Sequence, residues 1–246
     1  MINIKTKEEI QIMQEGGKIL ADILAKLVEA VRPGITTNDL EDLARNLVEQ
    51  NGAKPSFLGY NNHPAVLCTS INEEIVHGTP SNRELNDGDV LKIDVGIEYK
   101  EFHTDTATTV VVGTDDDPLK TKLLNVTKEA LKVGISKAVV GNKTGDIGHA
   151  VQKFVESQGF NVTRELVGHG IGRKLHEKPE VPNYGEPGEG VELKSGMTIA
   201  IEPMVVTGHW KTKEKNSVFS TADGGLAAHF EHTIAITEKE SLILTE

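Results

Sequence analysis

Among its 246 residues the chain has a single cysteine. That excludes an internal disulfide, so small stapled folds fall away and a reducing, cytoplasmic setting is expected. No apolar run approaches the roughly 18 residues that a membrane span needs. The start, Met1-Ile2-Asn3-Ile4-Lys5, lacks the apolar stretch and small-residue cleavage site of a secretory signal. Positive charge is in the minority: 26 Lys and Arg stand against 37 Asp and Glu, a formal net charge of −11. With no long Lys/Arg block to neutralise phosphates, a protein that coats nucleic acid is excluded. What is present is a globular composition, 37% apolar. The length is enough for one large domain or two intimate halves.

Local signals give a helix, strand, helix, strand order. Thr6-Lys7-Glu8-Glu9 reads as a capping box, and Ile10, Met13, Leu20, Ile23, Leu24, Leu27, Val28 and Val31 follow at helical spacing. Arg32-Pro33-Gly34 stops that helix. A second is expected from Thr37, with its hydroxyl as cap, to Asn51-Gly52. Val90 to Glu98 and Phe102 to Val112 are β-rich, and Tyr99-Lys100 between them reads as a hairpin turn. Asp116-Asp117-Pro118 opens a further helix to about Val140.

The pattern then repeats. A shift of 107 places Gly34, Thr37, Asp39, Val48, Glu49 and Gly52 on Gly141, Thr144, Asp146, Val155, Glu156 and Gly159. Leu85-x-x-Gly88-x-x-x-x-Ile93-Asp94 has the spacing of Leu193-x-x-Gly196-x-x-x-x-Ile201-Glu202, shifted by 108. Gly and Leu punctuation common to any helix–strand unit would give some of these matches. Two independent runs point instead to duplication, with halves of about 1–115 and 116–246 in one domain. A pseudo-twofold axis would then bring a carboxylate from each half face to face.

With Tyr99-Lys100 as the turn, Asp94 falls opposite Asp105. Directly paired residues on one sheet face have Cβ atoms about 4.5 to 5.5 Å apart, so two like charges there destabilise the sheet unless neutralised. A bound cation explains the pair; so would an exposed face with solvated carboxylates, or a dyad sharing one proton. Ile201-Glu202-Pro203-Met204 and His229-Phe230-Glu231-His232 repeat the anomaly of an acid inside an apolar strand. Four carboxylates plus imidazole suit harder ions such as Mn, Fe(II) or Co. Four exceed what one ion needs, whereas two ions would use them all and generate a water-derived nucleophile, which points to hydrolysis. His169, set among Gly168, Gly170 and Gly172, is unshielded by neighbouring side chains. His176 follows seven residues later, and His77 ends a β-like run.

These residues resemble the type I methionine aminopeptidases of the pita-bread fold, over nearly the whole chain. The motifs that carry the resemblance are Cys68-Thr69-Ser70-Ile71-Asn72-Glu73 leading to His77-Gly78, the Asp94 and Asp105 pair, Gly168-His169-Gly170-Ile171-Gly172 with His176, Ile201-Glu202-Pro203-Met204, and Phe230-Glu231-His232-Thr233. The resemblance implies an α/β (α+β) architecture, two α-β halves around a curved antiparallel sheet with the metal site between them. It implies two divalent ions held by Asp94, Asp105, His169, Glu202 and Glu231, with Asp105 and Glu231 bridging. It also implies removal of the N-terminal Met from nascent polypeptides whose second residue is small. His176 would hydrogen-bond the substrate carbonyl, Glu202 would shuttle a proton to the leaving amine, and His77 would contact the amide. The implied Met pocket includes Phe57, Tyr60, Cys68 and Leu175. A monomer is implied, with at most transient ribosome contact.

The chain departs from the family pattern at Leu166, where Met or an aromatic is usual, at His63, where an aromatic is common, and at His229, where Gln is frequent. The stretch from His209 to Gly225 does not align readily, which leaves Trp210 and Phe219 as candidates for the aromatic that closes the Met pocket. Only 26 positions separate His176 from Glu202, too few for the helical insertion of type II relatives. Two other functions compete: an Xaa-Pro aminopeptidase or prolidase of the same fold, and an inactive relative that binds peptides.

Overall fold

The computed structural model describes residues 2–114 and 116–246. The first helix, α1 (Lys7–Ala30), starts with the capping box formed: Thr6 Oγ1 accepts from Glu9 N–H and Glu9 accepts from Thr6 N–H. Its apolar stripe buries Met13, Leu20, Ile23 and Leu27. Each such side chain contributes about 1.5–3 kcal/mol on burial. In α2 (Thr37–Gln50) the cap is Thr36, one residue earlier than the sequence suggested. Thr36 Oγ1 accepts from Asp39 N–H, while the Thr37 hydroxyl is buried and exchanges hydrogen bonds with the Ser81 backbone. Adjacent threonines both offer a hydroxyl, and only the one in extended backbone ahead of the helix can cap it.

Helix α3 (Pro118–Lys137) has Asp117 as cap and Pro118 in its first turn, and ends three residues short of the expected Val140. Helix α4 (Thr144–Ser157) matches α2 in length. The surroundings of the two helices correspond as well. Gly34 N–H donates to Leu85 O and Gly141 N–H to Leu193 O. Isolated bridges join Thr36 to Glu84 and Lys143 to Glu192. Gly88 and Gly196 both have positive φ, 82° and 88°. Asp115, where the sequence puts the junction between halves, lies outside the described residues.

The strands are, in chain order, β1 (Lys54–Pro55), β2 (Leu67–Ile71), β3 (Glu74–Val76), β4 (Val90–Tyr99), β5 (Phe102–Val111), β6 (Asn161–Val162), β7 (Gly168–Gly170) and β8 (Glu177–Val181). They continue as β9 (Thr198–Ile201), β10 (Met204–Val206), β11 (Thr212–Lys215), β12 (Val218–Thr221), β13 (Ala227–His229), β14 (Glu231–Ile236) and β15 (Ser241–Ile243). The main antiparallel sheet runs β1-β4-β5-β14-β9-β7-β8, with β2 also on β4 and β15 also on β14. One apolar cluster lies between α1, α2 and the first-half strands, and another between α3, α4 and the second-half strands. The helices therefore cover one face of the sheet in each half.

The β4–β5 hairpin corrects the expected register. Its turn is Lys100-Glu101, not Tyr99-Lys100, and Tyr99 pairs with Phe102. Both turn residues have positive φ, 48° and 69°, as the tight two-residue turn that matches strand twist requires. Without Gly or Asn there, the sequence gives no mark of this. The shift of two moves Asp94 opposite Ala107 and Asp105 opposite Gly96. Because side chains alternate with period 2, the two carboxylates still share a face, as diagonal neighbours.

Candidate metal centre and active site

Five adjacent strands each bring one ligand-type side chain to the same face. In sheet order these are Asp94 on β4, Asp105 on β5, Glu231 at the start of β14, Glu202 directly after β9, and His169 on β7. Registers align three of them. Asp94 lies opposite Ala107, Ala107 opposite Glu231, and the β14–β9 pairing ends at His232 opposite Ile201, one residue before Glu202. Threonines fix the seam between the halves. Thr233 Oγ1 accepts from Asp105 N–H and donates to Asp105 O, and Thr106 Oγ1 donates to Glu231 O.

Ligand atoms of Asp105, His169 and Glu231 lie within 4.8 Å of one another, as do those of Glu202, His229 and Glu231. His169 Nε2 is 3.7 Å from Glu202 Oε1. Asp94 is outside both triads, but its carboxyl is raised, after burial itself, by the charge of neighbouring Asp105. Asp94, Asp105 and Glu231 are buried, which rules out the exposed-face reading. Left to one another, the carboxylates hold their protons. Burial, then the charge of Glu202, pushes Asp105 up to about 8, and burial pushes Glu202 to about 8. Burial and neighbouring carboxylates also raise Asp94 and Glu231 well above the usual range. The histidines move the opposite way, because burial disfavours the imidazolium. His169 and His229 fall to about 3, His77 and His176 to about 4.

Asp94 Oδ1, Asp105 Oδ1 and Glu231 Oε1 are buried with no hydrogen-bond partner. Buried polar atoms are rarely left unsatisfied, so three on one sheet face call for a ligand. Oxygen donors with an imidazole beside them suit a divalent cation of the harder kind. The residues therefore fit a metal site.

The centre forms the floor of a cavity of about 680 Å³. Phe57, Tyr60, Cys68 and Leu175 all line it, as the resemblance implied, and so do His63 and Leu166, two of the departures. The Cys68 thiol is raised well above its ordinary value by burial and by Asp94 and Asp105, so this wall is neutral. His176 presents its ring edge-on to His169, with centroids 4.1 Å apart, and its Nδ1 is 2.7 Å from the Tyr60 hydroxyl. His77 also lines the cavity, at a positive φ of 63°. Gly168 and Gly170 flank His169 because neighbouring strands press on them. A Cβ would lie 2.4 Å from Ala200 O at Gly168, and 2.3 Å from Lys178 O at Gly170.

Two features were not legible beforehand. The stretch from His209 to Gly225 contains the β11–β12 hairpin, and β12 pairs with β3, Phe219 opposite Val76. That pairing sets Phe219 edge-on to His77 at 5.7 Å, in the cavity wall, together with Asn216 and Ser217 of the turn. Trp210, the other candidate, lies instead under the Arg164 guanidinium, 4.7 Å away. The second feature is His229, 1% exposed, with Nε2 3.4 Å from Glu202 Oε2 and 3.8 Å from Glu231 Oε2. The sequence marked it as a departure that alters the surroundings of Glu231, but not as a neighbour of Glu202. Its position two residues before Glu231 was the available signal.

The profile of metallopeptidase family M24 matches residues 11–238. The methionine aminopeptidase of Clostridium perfringens is 47% identical over all of this chain and 99% of its own length. The chain belongs to the methionine aminopeptidases of metallopeptidase family M24. It is accordingly a metal-dependent hydrolase. A solved methionine aminopeptidase from Rickettsia prowazekii superposes with a TM-score of 0.98 at 38% identity, over the whole of both chains. A prolidase from Pyrococcus furiosus matches less closely, with a TM-score of 0.80 at 25% identity over 99% of this chain and 65% of the prolidase. The methionine aminopeptidases and prolidases share the pita-bread fold, the curved sheet with paired helices seen here.

Proposed function

We propose that residues 1–246 act as one catalytic unit that removes the N-terminal Met from nascent polypeptides when the second residue is small. The observation that carries this reading is the cavity itself: buried carboxylates and His169 on its floor, and Phe57, Cys68 and Leu175 as an apolar wall beside them. In this proposal Asp94, Asp105, His169, Glu202 and Glu231 hold two divalent ions, of Mn, Fe(II) or Co. Such ions supply carbonyl polarisation and a water-derived nucleophile at neutral pH.

The chain's own groups do the rest. If the Tyr60 hydroxyl donates to His176 Nδ1, the neutral ring carries its proton on Nε2. That N–H then stabilises the substrate carbonyl oxygen as negative charge develops. Glu202 takes the proton released by the attacking water and passes it to the leaving amine, so the first peptide bond breaks to free Met and a shortened peptide. His77, braced by Phe219, contacts the peptide beyond the cleaved bond. The acid excess keeps nucleic acid outside the proposal. A cytoplasmic monomer with only transient ribosome contact completes it.

Cleavage of Met-Ala-Ser against Ala-Pro-Ser separates this from the Xaa-Pro alternative. The proposal expects the first peptide alone to be cut; preference for the second would favour the prolidase reading. No cleavage of either by metal-loaded protein would favour the inactive relative.

A further inference from the structure

Gly172 closes the glycine run around His169, yet no neighbouring strand explains it as Ala200 and Lys178 explain Gly168 and Gly170. What presses on it is a side chain from the N-terminal segment. A Cβ at Gly172 would lie 2.4 Å from Lys5 Cε, 2.7 Å from Lys5 Nζ and 3.1 Å from Glu177 Oε1. The Lys5 stem therefore runs through the space that the glycine leaves open. Its Nζ reaches Glu177 Oε2 at 2.7 Å, with only 4% and 3% of the two side chains exposed. Burial raises the Glu177 carboxyl, but hydrogen bonds and the charge of Lys5 outweigh it and leave Glu177 below its ordinary value. Glu177 is thus held as the carboxylate.

Both ends of this bridge are anchored. Lys5 N–H donates to Gly196 O at 2.8 Å, where Gly196 has φ +88° and a Cβ would lie 2.8 Å from Lys5 O. Glu177 Oε1 accepts from Lys174 N–H at 3.2 Å, and Gly172 N–H donates to Lys174 O at 3.1 Å. The turn from Gly172 to Glu177 carries Leu175 and His176, both cavity residues. From the front, Tyr60 holds the His176 ring through Nδ1. From behind, the side-chain carboxylate of the next residue, Glu177, is held by Lys5 and in turn accepts from Lys174 N–H. A buried ion pair adds little net stability over an apolar replacement, so geometry is the better explanation for keeping one here.

We propose that Lys5 is a positioning residue: its buried ion pair with Glu177 fixes the Gly172–Glu177 turn so that His176 faces the substrate carbonyl. This rests on the role given to His176 above. The N-terminal segment, far from the metal ligands in sequence, is in this way part of the active-site scaffold.

The test uses Lys5→Met, which keeps the stem and removes the charge, Glu177→Gln, and the double variant, all with metal bound. On Met-Ala-Ser, Lys5→Met lowers kcat by roughly 10- to 100-fold with KM within about twofold, as misplacement of a transition-state group predicts. The double variant loses no more than Lys5→Met alone. The ring ¹⁵N resonances of His176 in the zinc-loaded protein shift in Lys5→Met, while those of His77 stay. A folded Lys5→Met with wild-type kcat and an unmoved His176 ring overturns the proposal, whatever happens to its melting temperature. If Lys5→Met fails to fold, Glu177→Gln, which keeps the shape of the carboxylate, is read in the same way. If the wild type does not cleave Met-Ala-Ser, the proposed function has failed, and the His176 resonance still decides the tether.

Discussion

Asp94, Asp105, Glu202 and Glu231 are costly residues to place in a sheet core, and their neighbours show why they persist together. Each has its proton affinity raised by burial, and three keep an oxygen with no protein partner. Glu202 differs from the other three in lying just beyond its strand, between His169 and His229. In Glu202→Gln the amide keeps the shape but cannot carry a proton between water and amine. We expect kcat/KM on Met-Ala-Ser to fall by roughly 100-fold or more, measured at saturating metal. At this scale the site was largely legible, because Asp and Glu inside Val/Ile runs stand out against strand propensity. His229 was harder to read, since its consequence depends on Glu202 arriving from another strand 27 residues earlier in the chain.

The elements show where sequence signals end. A capping box and helical periodicity locate α1 well, because those signals are local. The β4–β5 turn was misplaced by one residue and its register by two, since Lys100 and Glu101 adopt positive φ without the Asn or Gly that would mark it. This gives a direct test. Glu101→Gly removes the left-handed strain of an L-residue and should stabilise the protein by about 1 kcal/mol, measured by urea unfolding. The exposed Arg173–Glu101 contact it removes is worth little. The opposite result is expected at Gly168. Gly168→Ala drives a methyl into Ala200 O, so both the unfolding midpoint and the affinity for added metal should drop, the latter by titration calorimetry. The β11–β12 hairpin escaped the sequence reading because its importance lies in its pairing with β3, a contact across more than 140 residues.

For the whole molecule, the clustered charges set how stability depends on pH. The buried histidines titrate near 3 to 4, below their unfolded value of about 6.5, so they cost stability as pH falls below about 6.5. The carboxylates titrate near 8 or are otherwise raised above their unfolded value of about 4, so the folded state binds more protons and stability falls as pH rises. Between about pH 6.5 and 8 the four carboxylates outweigh the one group that opposes them, Lys92, which burial lowers to about 7. Metal-stripped protein should therefore melt at a lower temperature at pH 8 than at pH 6.5, and added Mn or Co should raise the melting temperature more at pH 8, where fewer protons compete. The −11 net charge, first read only as evidence against nucleic-acid binding, thus includes a buried subset with a separate purpose. The central claim is that this subset holds the ions that cleave Met from a peptide. Titrating fully stripped protein with Co(II) or Mn while following cleavage of Met-Ala-Ser and Met-Leu-Ser tests it most directly. Activity should appear only as metal binds and favour the alanine peptide; cleavage by the stripped protein, or equal cleavage of both peptides, would contradict the account.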